Sequence, residues 1–225
     1  MIRRPPRSTP SNSSAASDVY KRQQVNIKAG LTFATGLRAM LRHDPDIIMI
    51  GEIRDRQTAE IAIQSALTGH LVFSTLHTND AASAATRLID MGVESFLVAS
   101  SLIGILAQRL ARRLCPKCKK AYQPDLAELT SLGFRSKEPK EDITLYKETG
   151  CSVCRKTGYK GRIGIFELLV PEEGVKELIV KKTSVHQLRN YVSSKGMRSL
   201  RDDGLEKLQQ GVISASELLR ITEEV

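Results

Sequence analysis

Residues 46–55 read DIIMIGEIRD and residues 69–79 read GHLVFSTLHTN, and these two stretches decide the fold. The apolar run of the first follows an acidic proline turn, which is typical of a central strand buried on both faces. Residues 71–74 of the second predict another buried strand. Helical spacing of apolar residues at 31–42 and 57–67 predicts helices beside them. Because strand and helix alternate, we expect a parallel α/β sheet.

Polar side chains follow both predicted strands. Glu52 comes directly after the first strand, and Thr75, His77 and Asn79 follow the second. The carboxyl ends of parallel strands meet at one edge of a sheet, where ligands bind. An acid there can orient Mg²⁺ or polarise a water for attack on a γ-phosphate. These residues alone leave other interpretations open, because many buried strands end in an acid and His77 could simply cap the next helix.

The chain after this edge continues with helical patterns and then changes character. Asn79 is a predicted N-cap for a helix ending near residue 91, and residues 94–113 predict another helix with a basic C-terminal end. Residues 162–169 alternate like a strand. Four amphipathic segments then predict short helices, at residues 174–181, 184–193, 199–209 and 214–222.

The cysteines form two Cys-x-x-Cys pairs, Cys115 with Cys118 and Cys151 with Cys154. Within each pair the spacing lets both thiolates reach one tetrahedral Zn²⁺, and four protein ligands leave no open position, so we expect a structural zinc. The alternative is four free or redox-active thiols, but no thioredoxin-like sequence surrounds them.

Composition excludes some classes of protein. Of the 225 residues 41% are hydrophobic and 26% are charged, as in soluble globular proteins. Neither a run of about 18 uncharged apolar residues nor a signal peptide occurs, so we expect a cytoplasmic chain that reaches a membrane only through partners. The net charge of +9 suits phosphate, acidic lipid or nucleic acid, or only aids solubility. Aromatic residues make up 4% and Trp is absent, which argues against stacking on nucleic-acid bases.

Residues 1–23 differ from the rest, because they are rich in Ser, Pro and Arg and lack any hydrophobic period. They suit a disordered tail, or a non-native stretch resembling translated sequencing-adapter read-through. The second interpretation predicts that a natural N-terminal part has been cut away.

Two blocks together resemble a known family. Residues 30–55, GLTFATGLRAMLRHDPDIIMIGEIRD, resemble the stretch around the Walker B motif of the type II/type IV secretion ATPase superfamily, and residues 68–81, TGHLVFSTLHTNDA, resemble its histidine box. The resemblance runs from about Gln24 to the C-terminus, and no unrelated family known to us carries both blocks.

The resemblance implies an α/β fold with three parts. Residues 24–114 would form the C-terminal half of a RecA-like P-loop NTPase core with a parallel sheet. Residues 115–160 would form a tetracysteine zinc insertion, and residues 161–225 a strand and helical C-terminal subdomain. The insertion occurs in assembly ATPases and is typically missing from pilus retraction ATPases, so it favours an assembly motor.

The resemblance also implies residue roles in a site for ATP and Mg²⁺. Glu52 matches the catalytic glutamate that activates the attacking water, and His77 matches the histidine near the γ-phosphate. Arginines near phosphates or subunit interfaces match Arg38, Arg42 and Arg54, where a planar cation can stabilise γ-phosphate charge. For Arg38 and Arg42 a solvated helix face is the alternative. Gly51, Thr75 and Asn79 are expected to contact the nucleotide.

One departure from the family bears on activity. The Walker A loop, G-x-x-x-x-G-K-[ST], does not occur in the sequence, and neither do the aspartate box and N-terminal domains of the family. The loop supplies the N–H groups and Lys that hold the phosphates, so we expect no ATPase activity from this polypeptide alone.

Among the motors of the superfamily, the sequence favours the type II secretion assembly ATPase, with type IV pilus assembly as the alternative. The family role implies a hexamer that hydrolyses ATP and drives an inner-membrane platform, whose cytoplasmic domains would be the partners. A basic run could meet acidic phospholipid or an acidic partner, or be a solvated helix end; it comprises Arg109, Arg112, Arg113, Lys117, Lys119 and Lys120. A zinc-stapled nucleic-acid-binding or scaffold protein remains a competing class.

Overall fold

A computed structural model describes residues 26, 28, 30–134 and 143–222 of the chain, and these residues form both helices and strands. In chain order the elements are α1 (Phe33–Leu41), β1 (Ile47–Ile50), α2 (Arg56–Leu67), β2 (Leu71–Ser74), α3 (Ala81–Asp90), α4 (Ser95–Ser101), β3 (Ile105–Leu114), β4 (Lys120–Tyr122), α5 (Leu126–Leu132), β5 (Leu145–Lys147), β6 (Tyr159–Leu169), α6 (Glu173–Val180), α7 (Val185–Ser194), α8 (Leu200–Gln209) and α9 (Ala215–Thr222).

The chain divides into two units. The first contains the described residues up to Thr78 together with Ala82–Ile105 and Val170–Arg189. The second contains Asn79–Ala81, the described residues of Leu106–Leu169, and the described residues from Asn190 onward. The two predicted strand tips therefore lie in the first unit, and the cysteines lie in the second.

The first unit contains a parallel pair of strands. β1 pairs with β2 from Ile47 opposite Leu71 to Ile50 opposite Ser74, which confirms the predicted parallel sheet. The connecting helix α2 begins after Asp55, whose side chain accepts a hydrogen bond from the N–H of Thr58 at 2.8 Å. This cap ends the loop after β1 at a defined place, because an N-cap side chain satisfies a free N–H of the first turn.

The prediction that β1 is buried on both faces is wrong for this structure. Ile48 and Ile50 are buried, whereas Ile47 and Met49 are 62% and 73% exposed. Successive side chains of a strand point to opposite faces, so β1 is covered on one face only. β2 has one fully buried residue, Val72, and is otherwise partly exposed.

The second unit is built from two small sheets and helices. β3 pairs with β6, and β4 pairs antiparallel with β5. The core forms where residues of these strands meet α5, α8 and α9. Its buried members are Ala111, Leu132, Leu145, Ile165, Leu200, Leu208, Ile213, Ala215, Leu218 and Ile221.

The predicted helix over residues 94–113 is wrong. α4 ends at Ser101, and Ile105–Leu114 forms strand β3 instead. Ala, Leu, Gln and Arg favour a helix when alone, but pairing with β6 and burial of Ala111 in the core outweigh that preference. The basic residues at its end therefore lie on a strand rather than at a helix terminus.

Other predicted elements are confirmed. The strand predicted at residues 162–169 is part of β6, and the four amphipathic segments form α6, α7, α8 and α9. The predicted tail at residues 1–23 lies outside the described residues, and the domain boundaries at residues 114 and 160 stay predictions. Across the described parts of the chain, no helix combines the length and the apolar character needed to cross a membrane.

Candidate functional site

The candidate site lies at the edge of the first unit where β1 and β2 end. Because the two strands are parallel, their carboxyl ends lie side by side, and the loops after Ile50 and Ser74 leave the sheet together. Glu52 lies in the first loop and His77 in the second. The topology thus brings together two residues that are far apart in the sequence.

Glu52 and His77 contact each other directly. Nε2 of His77 lies 3.1 Å from Oε2 of Glu52, and Nε of Arg54 donates to the same oxygen at 2.6 Å. The side chain of Glu52 is 23% exposed and that of His77 is 81% exposed, so the pair faces solvent. The predicted neighbourhood of this carboxylate and imidazole is confirmed.

The neighbours of Glu52 change its acidity. The hydrogen bond from Arg54 is the largest influence and lowers the pKa of Glu52 below its ordinary value of 4.5. Partial burial raises this pKa, and the hydrogen bond from His77 lowers it further. The group is therefore held as a carboxylate at neutral pH.

Gly51 and Thr75 also lie at this edge. The hydroxyl of Thr75 donates to the carbonyl oxygen of Gly51 at 2.7 Å, which links the two loops. A Cβ placed on Gly51 would meet nothing within 4 Å, so there is open space above the strand tips. That space lies beside the partly exposed carboxylate of Glu52 and leaves room for a ligand at this edge.

The four cysteines form one cluster in the second unit. All four Sγ atoms lie within 4.8 Å of one another. Sγ of Cys115 lies 3.9 Å from that of Cys151, and Sγ of Cys118 lies 3.8 Å from that of Cys154. Sulfurs bound at about 2.3 Å to a tetrahedral zinc would lie about 3.8 Å apart, so the cluster fits this ion.

Backbone groups support the cluster. The N–H groups of Cys151 and Gly158 donate to Sγ of Cys154 at 3.1 and 3.2 Å. Burial raises the pKa of the Cys154 thiol, but these N–H donors outweigh it and the pKa falls to about 6. Gly158 also accepts through its carbonyl from the N–H of Cys115 at 2.8 Å, so one turn contacts both cysteine pairs. Donors to sulfur favour the thiolate, which is the metal-binding form.

Comparison with known proteins identifies the family. The family model described as "Type II/IV secretion system protein" matches residues 16–220. The chain belongs to the type II/IV secretion system protein family. It is 52% identical over 201 residues to the "Type II secretion system protein E" of Pseudomonas aeruginosa, covering 89% of this chain and 39% of that protein.

Two further members of the secretion family have similar identity. The "Type II secretion system ATPase E" of Vibrio cholerae is 50% identical over 201 residues, covering 89% of this chain and 39% of that one. The "Type IV pilus assembly ATPase PilB" of Thermus thermophilus is 53% identical over 201 residues, covering 89% and 22%. The chain therefore spans about two-fifths or less of the length of these relatives.

Two solved structures share the fold of this chain. The pilus retraction motor PilT, solved with bound ADP, is 27% identical with a TM-score of 0.59, covering 86% of this chain and 45% of that one. The ATPase DotB of Legionella pneumophila is 22% identical with a TM-score of 0.62, covering 90% and 45%. The chain thus has the α/β, RecA-like fold of secretion ATPases.

Three other predicted site residues are not brought to the Glu52–His77 pair by hydrogen bonds. Arg38 lies in the last turn of α1 and Arg42 caps its end, and both are exposed. Among the described residues neither forms an ion pair. Asn79 belongs to the second unit, where its Oδ1 accepts from Nη2 of Arg109 at 3.0 Å. Asn79 is also not the N-cap, since α3 begins at Ala81.

Half of the basic run makes contacts within the second unit. Besides the bond from Arg109 to Asn79, Arg112 pairs with Glu217, and Nζ of Lys119 donates to the carbonyl of Gly211 at 2.8 Å. These three cations are occupied within the second unit, and Arg113, Lys117 and Lys120 are exposed.

Sequence reasoning missed a buried carboxylate on β6. Glu167 is 5% exposed, and its Oε1 and Oε2 accept from the N–H groups of Ala81 at 3.0 Å and Leu200 at 3.2 Å. These are the first residues of α3 and α8, so one side chain caps two helices. The sequence signal for the burial of Glu167 was its place in the alternating pattern of the strand, on the same face as Ile165 and Leu169.

A second missed carboxylate, Glu217, lies on α9 and is fully buried. Arg112 donates to it through its backbone N–H at 2.7 Å and through its guanidinium, and Arg220 adds two further hydrogen bonds. Arg112 also lies 4.2 Å from the ring centroid of Tyr159. The sequence signal for its burial was the position of Glu217, four residues before Ile221 on the apolar face of the helix.

Proposed function

We propose that this chain carries the catalytic edge of an ATP-hydrolysing motor subunit of type II protein secretion. The single observation that carries the proposal is the contact between Glu52 and His77 at adjacent parallel strand tips, in a chain 52% identical to a type II secretion system protein E. An acid and an imidazole at this edge suit attack of water on a γ-phosphate.

In the proposed mechanism Glu52 is the general base. Among the described residues, both side-chain hydrogen bonds to Glu52 go to Oε2, so Oε1 is the oxygen that can accept a proton from water. Arg54 and His77 hold the carboxylate at a fixed angle, and with its pKa lowered by both neighbours it is deprotonated at neutral pH, as a base must be. Mg²⁺, when bound, would neutralise charge on the transferring phosphoryl group.

His77 and Arg54 are proposed to act on phosphate charge. Both side chains are largely exposed at the open edge, at 81% and 68%. An imidazole or guanidinium there can stabilise charge that develops on the γ-phosphate. Arg38 and Arg42 are proposed as further cations for phosphates or a neighbouring subunit, and Gly51 and Asn79 as nucleotide contacts.

The phosphate cradle of the family does not occur in this sequence. Without a G-x-x-x-x-G-K-[ST] loop, few N–H groups remain to hold a triphosphate. We therefore propose that this polypeptide by itself hydrolyses ATP too slowly to detect, and that turnover needs a chain that also supplies the loop. Turnover by the purified chain comparable to that of an intact relative would contradict this.

The four cysteines are proposed to hold one structural Zn²⁺. Their separations and the donors to Cys154 support a closed tetrahedral site. By resemblance, such an insertion favours an assembly motor over a retraction motor. We also propose a homo-hexamer on the cytoplasmic side of the inner membrane, with the cytoplasmic domains of secretion platform proteins as partners.

Type IV pilus assembly is the second candidate. The observation that favours it is the 53% identity to the pilus assembly ATPase of Thermus thermophilus, which equals the identity to the type II relatives within a few per cent. The two motors would share the chemistry of Glu52 and differ in the machinery they drive.

A chimera tests the function. Residues 26–222 would replace the matching segment of the Pseudomonas aeruginosa type II secretion system protein E, in a strain lacking that protein, and secretion and ATPase rate would be measured. We expect the chimera to secrete and Glu52→Gln to lower turnover by about 10²–10⁴-fold, the usual contribution of a general base.

The matched control is Glu60→Gln. Glu60 is also a partly exposed acid paired with an arginine, since Nε of Arg56 lies 2.7 Å from its Oε1. This variant should keep both secretion and turnover. Full turnover by the Glu52→Gln chimera would contradict the proposed mechanism. If the segment restored function only in an equivalent chimera of a pilus assembly ATPase, the second candidate would be favoured.

A further inference from the structure

We propose that Thr75 is a positioning residue that holds the Glu52 loop in place through its hydroxyl and its carbonyl. This inference rests on the proposed role of Glu52 as general base. It changes the expected role of Thr75, which the sequence predicts to contact the nucleotide. The residues concerned all lie in the first unit.

The geometry places both contacts of Thr75 around one residue. Its hydroxyl donates to the carbonyl of Gly51 at 2.7 Å, and its own carbonyl accepts from the N–H of Ile53 at 3.0 Å. Gly51 and Ile53 are the residues immediately before and after Glu52. The backbone on both sides of the carboxylate is thus bonded to a single residue of the neighbouring loop.

These bonds begin where the regular sheet stops. The pairing of β1 with β2 ends at Ile50 and Ser74, so Glu52 lies beyond the ladder. In its place, a side chain supplies the donor to Gly51. Ile53 is 7% exposed and anchors the far side of the loop in the core. Without the hydroxyl, the Gly51 side of the loop would lose its link to the neighbouring strand.

The chemistry of a hydroxyl separates this role from phosphate binding. A threonine hydroxyl has one hydrogen, and here that hydrogen is directed to the Gly51 carbonyl. Phosphate oxygens accept hydrogen bonds, so a phosphate would compete with the Gly51 carbonyl for this one hydrogen. Donating fully to the loop and donating fully to the nucleotide are therefore competing uses of the Thr75 hydroxyl.

The positioned contact is the one between the two loops. His77 follows Thr75 by two residues and reaches Oε2 of Glu52 at 3.1 Å. A link between the loops at Thr75 therefore sets the separation of the imidazole and the carboxylate. Small misplacements of reacting groups cost large factors in rate, which gives such a link a function beyond stability.

The test measures the carboxyl pKa of Glu52 in this chain by ¹³C NMR, and it needs no enzymatic activity. Since the hydrogen bond from His77 lowers the pKa of Glu52, His77→Ala should raise that pKa in the otherwise unchanged chain. In the Thr75→Val background, which has the same shape without the hydroxyl, His77→Ala should shift it by less than about half as much. Thr75→Ser, which restores the hydroxyl, should restore the full shift.

Thr68→Val is the control. The hydroxyl of Thr68 lies 3.0 Å from the carbonyl oxygens of both Gln64 and Ser65 at the end of α2 and shares its one hydrogen between them, so this variant also removes a hydroxyl-to-backbone bond from the first unit. It should leave the dependence of the Glu52 pKa on His77 unchanged. A merely structural role for Thr75 would lower stability in the same way without changing this dependence.

Two results would overturn the inference. One is an undiminished effect of His77→Ala in the Thr75→Val background, and the other is a Thr75→Ser variant that behaves like valine. If Thr75→Val does not fold, Thr75→Ala, which also lacks the hydroxyl, takes its place in the same comparison. Failure of the chimera to hydrolyse ATP would instead count against the proposed function alone.

Discussion

Replacing Glu217 by Gln should destabilise the second unit in a strongly pH-dependent manner. Three hydrogen bonds from Arg112 and Arg220 reach Oε2, and two others reach Oε1. With the amide oxygen at the Oε1 position, the NH₂ group faces three donors and those bonds are lost. A bond to a charged group is worth about 1.5–3 kcal/mol, but both guanidiniums are about half exposed and regain water. At about 1 kcal/mol each, the loss is about 3 kcal/mol.

The pH dependence gives the prediction its sign. Burial alone would raise the pKa of Glu217, but the hydrogen bonds from Arg220 and Arg112 outweigh it and lower the pKa from 4.5 to about 2. A group whose pKa is lower in the folded state stabilises the fold above its unfolded pKa, and this contribution disappears as the pH falls through the folded value. The stability difference between the two proteins should therefore be constant above about pH 5 and shrink between pH 4.5 and 2.

Urea unfolding followed by circular dichroism at pH 7, 4 and 3 measures this difference. Acid would release the proposed zinc from both proteins alike, so this loss cancels in the comparison. The control is Glu206→Gln on α8, an exposed partner of Arg198, which should change stability by less than about 0.5 kcal/mol. The prediction would be wrong if the loss of stability in Glu217→Gln were the same at pH 7 and pH 3, or no larger than the loss in Glu206→Gln.

Two further perturbations act on the second unit. We expect the chain to bind one equivalent of zinc, measured by mass spectrometry, and a chelator or Cys154→Ser should abolish this binding. Loss of the metal should also speed amide exchange in β4 and β5. Tight zinc binding by the Ser variant would contradict the four-ligand site. Glu167→Ala should lower the free energy of unfolding by about 2–4 kcal/mol, since the buried N–H groups at the starts of two helices lose their acceptor. Glu167→Gln should lower it by less, because the amide keeps one acceptor oxygen. An alanine variant as stable as the original in urea would mean that water replaces the carboxylate.

The edge that carries Glu52 and His77 was predictable because several independent signals agree there. Short apolar runs predict strands, the intervening helical pattern predicts a parallel connection, and parallel strands end at the same edge. The structure pairs β1 with β2 in that way and brings the two side chains to 3.1 Å. The spacing of the cysteines was also predictive, because each Cys-x-x-Cys pair is a local feature of the sequence.

Residues 105–114 show where such reasoning fails. Their composition favours a helix, although Gly104 directly before them has a poor helix preference. The strand forms because β6 supplies a partner from far along the chain and Ala111 is buried in the core. The exposure of Ile47 and Met49 is a similar case, because the sequence shows that both residues are apolar but not which face of the strand is covered.

By itself, the sequence determined the family, the order of most elements, the pair of strand tips and the four-cysteine cluster, since each depends on residues close together or on the regular geometry of a parallel sheet. The tertiary structure alone decided that Glu167 caps two helices, that Glu217 binds two arginines and that Thr75 bonds both sides of Glu52. Those contacts join residues distant in sequence or depend on the direction of a single hydroxyl. Hydrogen bonds require angles and distances of a few tenths of an ångström, which only the packed chain defines.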